Sequence, residues 1–422
     1  MPLKPTATQL QWQAAEFGMF CHFGINTFYG KEWSDGTLSP AGFNPTQLDA
    51  RQWVKTAQDA GMRYLIFTAK HHDGFCLWPT DTTDYSVAAS PYKNGAGDIV
   101  AELAEACQDM GMPLGLYLSP WDRHEPCYPD AAAYDRFYLR QLTELCSRYG
   151  PLFELWFDGA GSQGREYNWD AIMEVVDTYQ PDATVFNMGR PTIRWVGNED
   201  GLADDPNYYV VDTTDALALT DTRTSLVGQH YLPPECDVAI RRHWFWQDDD
   251  LQTLKSLEHL LGIYYRSVGL GANLLLNVPP DRTGRICTED RERLLELADA
   301  LRQRFAHPIH GHVRQDGATV YVTFDTAVTF DHLVLREDLR DGQYVDGYAI
   351  VAEPDGARVA YGQTVGSQKI HAFPAVQTQQ LRIDLTNAAA RLRSVAAYRT
   401  GYEQLPRLGT KLADAGWEQK LD

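Results

Sequence analysis

The sequence is poor in the features that would tie the chain to a membrane, a disulfide framework or a nucleotide. No run of about 18 apolar residues occurs, so no helical membrane span is expected. The opening residues Met1-Pro2-Leu3-Lys4-Pro5-Thr6 lack the apolar stretch of a secretory signal, and a cytoplasmic location is the resulting expectation. The seven cysteines (Cys21, Cys76, Cys107, Cys127, Cys146, Cys236 and Cys287) are scattered, odd in number and without a Cys-x-x-Cys pair. Neither a disulfide scaffold nor a zinc site fits that pattern, and no metal or other cofactor is assigned. No Gly-x-Gly-x-x-Gly follows the first strand, which argues against dinucleotide binding. Basic residues are the scarcer charge: 37 Lys and Arg against 57 Asp and Glu leave a formal net charge of −20. Such a surface repels nucleic acid and anionic membranes, and leaves a neutral small molecule or a glycan as the easier partner.

What is present is a long, regular alternation. Phe17 to Gly24, Tyr64 to Ala69, Pro113 to Leu118, Phe153 to Phe157, Ala183 to Asn187 and Asn273 to Val278 are short apolar runs bounded by turn residues, the signature of buried strands. Between them, helical spacing is expected over Pro45 to Gly61, Asp98 to Gly111, Ala131 to Tyr149, Trp169 to Tyr179 and Leu251 to Val268, with a final helix over Thr288 to Phe305. Strands alternating with helices imply a parallel sheet with right-handed crossovers. Polar residues cluster just after the strands, so the expectation is an α/β fold, a (β/α)8-like (TIM-type) barrel. The stretch from Asn187 to Arg241 reads as irregular and functional. The character changes at Ala306-His307-Pro308, after which several short alternating strands suggest a C-terminal β-sandwich. The expected domains are therefore 1–307 and 308–422.

Chemistry concentrates at the strand ends. Phe153-Glu154-Leu155-Trp156-Phe157-Asp158-Gly159 delivers one carboxylate at the end of a buried run, where a barrel places its reacting groups. Lys70-His71-His72-Asp73 follows the second strand; adjacent histidines lack the His-x-His spacing of metal ligands on one strand, and hydrogen bonding to hydroxyls suits them better. Trp78, a few residues on, offers a flat face on which a sugar could stack. Trp33, Trp121, Trp156, Trp195 and Trp244 also lie at strand ends or in loops, and aromatics beside carboxylates and histidines are what a carbohydrate site requires. Glycoside hydrolysis needs two carboxyls, one ionised and one protonated. Asp158 suits the first role; Glu199 and Glu235, both in irregular aromatic-flanked segments, are open alternatives for the second.

The ordered motifs Phe17-Gly18-Met19-Phe20-Cys21-His22-Phe23-Gly24, Glu32-Trp33, Thr68 to Trp78, Gly115-Leu116-Tyr117 and Trp156-Phe157-Asp158-Gly159 resemble the α-L-fucosidases of glycoside hydrolase family 29. The resemblance implies a retaining mechanism with Asp158 as nucleophile. It also implies a fucose pocket formed by His22, Glu32, Trp33, His71, His72 and Tyr117, with Trp156 beside the nucleophile. Arg194 to Glu199 together with Glu235 to Arg241 and Trp244-Phe245 is similar to the subgroup that prefers α-1,3 and α-1,4 linkages on branched, Lewis-type glycans. Glu199, rather than Glu235, lies at the distance past Asp158 at which that subgroup carries its acid/base, so Glu199 is the expected acid and Glu235 the reserve. Arg241 and Trp244 are further expected pocket residues. The implied partner is a fucosylated oligosaccharide or glycoconjugate. Other readings of the same residues are a fucosidase of broader specificity, a fucose-binding barrel without catalysis, and a metal-dependent hydrolase built on His22, His71 and His72.

Overall fold

A computed structural model describes residues 3–162, 164–212, 226 and 228–409. Eight strands form one parallel sheet: β1 (Phe17–Cys21), β2 (Leu65–Lys70), β3 (Leu114–Leu118), β4 (Glu154–Trp156), β5 (Thr184–Phe186), β6 (Arg194–Trp195), β9 (Pro234–Ala239) and β10 (Asn273–Asn277). Their order is β5-β4-β3-β2-β1-β10-β9-β6. A parallel bridge between Phe186 and Ile193 joins the two outer strands, so the sheet closes into a barrel. A small antiparallel pair, β7 (Val210–Asp212) and β8 (Gln229–Tyr231), lies between β6 and β9 in the chain.

Helices wrap the barrel because their starts are fixed by side chains that accept otherwise unpaired amides. Among them are α3 (Ala50–Asp59), where Asp49 accepts from Gln52; α4 (Ile99–Met110), capped by Asp98 and closed by left-handed Gly111; and α5 (Ala131–Arg148), capped by Asp130. Asn168 caps α6 (Trp169–Tyr179) and Ser256 caps α7 (Leu257–Arg266), while α8 (Thr288–Phe305) completes the ring. The chain between α3 and the preceding turn is not helical, so the helix expected from Pro45 begins only at Ala50. The expected helix over 251–268 is broken into a 3-10 turn at Leu251–Thr253 and α7.

Burial on both faces explains the apolar strands: outward side chains meet the helices, and inward ones fill the barrel. The inner core is aromatic, with Phe20, Tyr64, Tyr117, Trp156 and Phe186, and helix α1 (Ala7–Ala15) adds Trp12 to it. Short helix α2 (Ile25–Tyr29) follows β1.

The expected irregular stretch 187–241 holds two barrel strands, β6 and β9. Beyond α8, antiparallel strands β11 (His312–Asp316), β12 (Thr319–Glu337), β13 (Tyr348–Glu353), β14 (Ala357–Gly362), β15 (Lys369–Leu385) and β16 (Leu392–Tyr398) enclose a second core in a β-sandwich. Long β12 and β15 pair along most of their length, with irregularities at Thr323/Val328 and Phe330/His332; β12 also pairs with β11 along its first part and with β16 along its last, and β15 pairs with β13. A buried relay ties this domain to the barrel: Tyr265 of α7 meets Nε2 of His332 at 3.0 Å, and Nδ1 of His332 meets Asp331 at 2.9 Å.

Candidate active site

The strand ends on one side of the barrel surround a cavity of about 630 Å³, counting its open mouth, a size suited to a small ligand. Its floor is aromatic. Trp156 stacks on Phe186 at 4.0 Å and 10°, and on Tyr117 at 5.3 Å. Phe20 and Trp244 continue the apolar surface, and Trp33 stands edge-on to His72 at 5.1 Å. Flat rings on one side with polar groups on the other match a sugar, which has an apolar patch ringed by hydroxyls.

Asp158 lies just past β4 and is a quarter exposed (24%). Its Oδ1 accepts the Ala160 amide at 2.8 Å; its Oδ2 accepts the Tyr117 hydroxyl at 3.0 Å and faces Nε2 of His72 at 3.4 Å. Desolvation pushes the carboxyl up, but the His72 hydrogen bond and charge, the amide and the phenol outweigh it and hold the pKa down to about 2. The group is therefore a poised anion. Ser119 Oγ donates its one proton to the Trp121 carbonyl at 2.6 Å, so at 2.7 Å it can only accept from Nδ1 of His72. That contact fixes the ring and aims Nε2 at Asp158.

The first-strand histidine is fixed in a similar way. Asn277, at the end of β10, donates Nδ2 to the Trp244 carbonyl at 2.8 Å, while its Oδ1 accepts the His22 amide at 3.1 Å. The same Oδ1 meets Nδ1 of His22 at 2.9 Å, which puts the proton on Nδ1 and leaves Nε2 as an acceptor. His71 stacks on Tyr117 at 5.6 Å. Both His71 and His72 line the cavity because they lie beyond the end of β2, where strand alternation no longer holds.

Buried Lys70, the last residue of β2, holds the neighbouring loops. Its Nζ donates to Asp122 and Gln141, each at 2.9 Å, and to Tyr134 at 3.3 Å. The pair ties the loop carrying Ser119 and Trp121 to the strand that presents the two histidines.

Glu199 shares the cavity with Asp158 and accepts the Trp244 indole N–H at 3.3 Å. A third carboxyl, Asp237 on β9, also lines it; it is 4% exposed and accepts the Trp195 indole N–H at 2.6 Å. Desolvation, and then the charge of Glu199, push the Asp237 carboxyl well above the usual range. Sequence reasoning missed Asp237, although its spacing of two from Glu235 on one strand places both on the same face. Asn277, Phe20, Phe186 and Asn187 were missed as well, whereas Trp195, one of the tryptophans expected at a sugar site, lines the cavity.

Four expected site residues stand elsewhere. Trp78 is fully buried, with its indole N–H on Glu144 of α5 at 2.7 Å, so no sugar can stack on it. Arg241 is buried and donates Nε to Asp290 of α8 at 2.9 Å, which makes it a bolt between strand end and helix. Glu32 lies behind the wall, accepting the amides of Trp244 (2.9 Å) and Phe245 (3.3 Å) and so shaping the Trp244 loop. Glu235 is inside the barrel, fully buried against Trp156 and Tyr64, and does not line the cavity. Among the described residues no three His, Cys, Asp or Glu side chains gather as a metal site.

A family model described as alpha-L-fucosidase matches residues 38–304. The chain is 39% identical to alpha-L-fucosidase 1 of Arabidopsis thaliana, over 92% of this chain and 85% of that protein. Its structure superposes with a TM-score of 0.86 on a glycoside hydrolase 29 family member from an unknown rumen bacterium, at 34% identity, covering 98% of this chain and 80% of the other. It also superposes with a TM-score of 0.83 on a Ruminococcus gnavus GH29 fucosidase in complex with fucose, at 29% identity, covering 94% and 96% of the two chains.

Proposed function

The chain belongs to the α-L-fucosidases of glycoside hydrolase family 29, and from that premise we propose that it is a retaining exo-enzyme with Asp158 as nucleophile and Glu199 as acid/base. The observation that carries the reading is the Asp158 carboxylate, held ionised by three donors at the floor of an aromatic cavity that Glu199 shares. Glu199 gives its proton to the glycosidic oxygen while Asp158 attacks the anomeric carbon; the C–O bond to the leaving glycan breaks as an ester to Asp158 forms. Glu199 then takes a proton from water, whose oxygen displaces Asp158 and releases fucose. His22, His71 and His72 are suited to the sugar hydroxyls, and Trp156 with Phe20 and Trp244 to its apolar face.

The substrate reading goes one step finer: terminal α-1,3- or α-1,4-linked fucose on branched glycans, supported by the likeness of Arg194 to Glu199 and Glu235 to Trp244 to the subgroup with that preference. A panel of fucosylated oligosaccharides differing only in linkage tests it, and equal release from α-1,2 linkages would leave broader specificity in its place. Asp237 is the second candidate for the acid, because it lines the same cavity and burial keeps it protonated. Azide should rescue turnover of Glu199→Ala and not of Asp237→Ala; the reverse result would exchange the two roles.

A further inference from the structure

Two glutamates inside the barrel have no part in the chemistry above. Glu154 opens β4 and Glu235 lies on β9, and both are fully buried. Glu235 accepts the Trp156 indole N–H at 3.0 Å on Oε1 and the Tyr64 hydroxyl at 2.9 Å on Oε2. Glu154 accepts the Trp12 indole N–H at 2.8 Å on Oε2, while its Oε1 receives no donor. The two carboxyls act on each other directly. The other groups that act on them are the Tyr64 phenol and the two indoles; Asp237, one pleat along β9, is the nearest further acid, and Asn273 of β10 faces Tyr64. None of these is a cation.

Two fully buried carboxyls that act on each other, with only indoles, a phenol and a further acid acting on them, cannot both be charged. The donors are divided unequally: Glu235 has one on each oxygen, whereas Glu154 has a bare Oε1. A proton on that oxygen removes the only orphan in the cluster, since an acid O–H needs an acceptor rather than a donor. Glu235 supplies the acceptor.

We propose that Glu154 and Glu235 share one proton inside the barrel, and that Glu235, through the Trp156 indole, is a positioning residue for the floor of the fucose pocket. The indole N–H is anchored to Glu235, which does not line the cavity, while its ring lies in the stack between Phe186 and Tyr117. Burial raises both carboxyls, Glu235 to about 7, as a retained proton requires. As pH rises and the proton leaves, two like charges face one another beneath Trp156 and the anchor is disturbed. The pocket assignment rests on the functional reading above; the shared proton does not.

The test uses the whole chain and two probes that need no sugar. In infrared spectra at neutral pH, the wild type minus Glu154→Gln difference should contain the C=O stretch of one protonated carboxyl, because a glutamine amide can donate to Glu235 without carrying a titratable proton. With 5-fluorotryptophan incorporated and the Trp156 resonance assigned by its loss in Trp156→Phe, that resonance should shift with pH in the wild type and stay flat in Glu154→Gln. Absence of the carboxyl band from the difference, or a Trp156 shift that survives Glu154→Gln, overturns the shared proton. Fucose binding by calorimetry then reads the anchor: Glu235→Met should weaken it about tenfold, and Glu235→Gln, which keeps an acceptor for the indole, within about threefold. Equal affinities in folded Met and Gln variants would overturn the positioning role, and if Glu235→Met does not fold, the fluorine titration decides alone. A wild-type chain that binds no fucose yet shows the band would overturn the pocket reading and not the pair.

Discussion

Replacing Asp158 by asparagine separates what the site does for folding from what it does for catalysis. The carboxyl is held at about 2 against an ordinary 3.8, because His72, the Ala160 amide and Tyr117 together outweigh its desolvation. At ~1.4 kcal/mol per pH unit, this is worth about 2 kcal/mol of stability to the native state. The native pKa is the depressed one, so the contribution is complete above the unfolded value near 3.8 and is lost as pH falls through about 2. An asparagine has one acceptor oxygen for donors that now approach two, and brings an NH2 against a phenol and an imidazole. Asp158→Asn should therefore melt about 3 °C lower than the wild type for a barrel of this size, while turnover falls by a factor on the order of 10⁴ to 10⁶. Calorimetric unfolding from pH 7 downwards provides the assay. The gap should be constant to about pH 4 and narrow below it. A variant as stable as the wild type at pH 7, or a gap that does not change in acid, would refute the claim that the pocket is built for the anion.

Other substitutions probe the supports of the site. Lys70→Met leaves Asp122 as an uncompensated buried charge and should cost about 3–5 kcal/mol in denaturant unfolding; a loss under about 1 kcal/mol would show that the ion pair does not tie the two loops. Gly161 has φ +71°, and a Cβ there would sit 1.9 Å from the Trp121 ring. Gly161→Ala should therefore raise KM with a smaller change in kcat, because Trp121 is pushed towards Trp33 and His72; unchanged kinetics would show that the loop yields without moving the ring.

Much of the barrel was legible because most of its strands are buried on both faces and so appear as continuous apolar runs; β2, β3 and β10 fall within a residue of their expected ends, and β1 stops three residues short of Gly24. Two strands escaped for physical reasons. β6 has only two residues, too few for any periodicity, and β9 reads Pro-Glu-Cys-Asp-Val-Ala because its inward positions carry Glu235 and Asp237 instead of hydrophobics. The same charges that hid the strand made Glu235 look like a loop acid open to substrate. Trp78 and Arg241 misled in the opposite direction: a tryptophan past a strand end and an arginine near an aromatic pair look like sugar contacts until Glu144 and Asp290, distant in sequence, claim their donors. Asp158, His22, His71 and His72 were visible because each stands directly after an apolar run, at the point where the chain enters the cavity.

Partners decide what each carboxyl does, and partners are what a sequence hides. Asp158 has three donors and is ionised; Asp237, on the wall of the same cavity, has the Trp195 indole alone, and burial keeps its proton. Glu235 has an indole and a phenol, and its nearest charged neighbour is another acid. The group with the most donors, Asp158, is the anion and the least buried of the three; the two with fewer donors, Asp237 and Glu235, are more deeply buried and are the neutral acids. A retaining hydrolase needs that separation, since its nucleophile must be charged while its acid is not. The aromatic floor keeps the interior pair, Glu154 and Glu235, apart from Asp158. Trp156 presents a ring edge and face to the cavity and an N–H to the interior carboxyl, so one side chain closes the sugar site and binds the acid pair beneath it. Replacing it by phenylalanine would leave a flat floor and break that link, which is why the fluorine resonance of this one indole, more than any rate, reports whether the interior acids and the pocket are coupled.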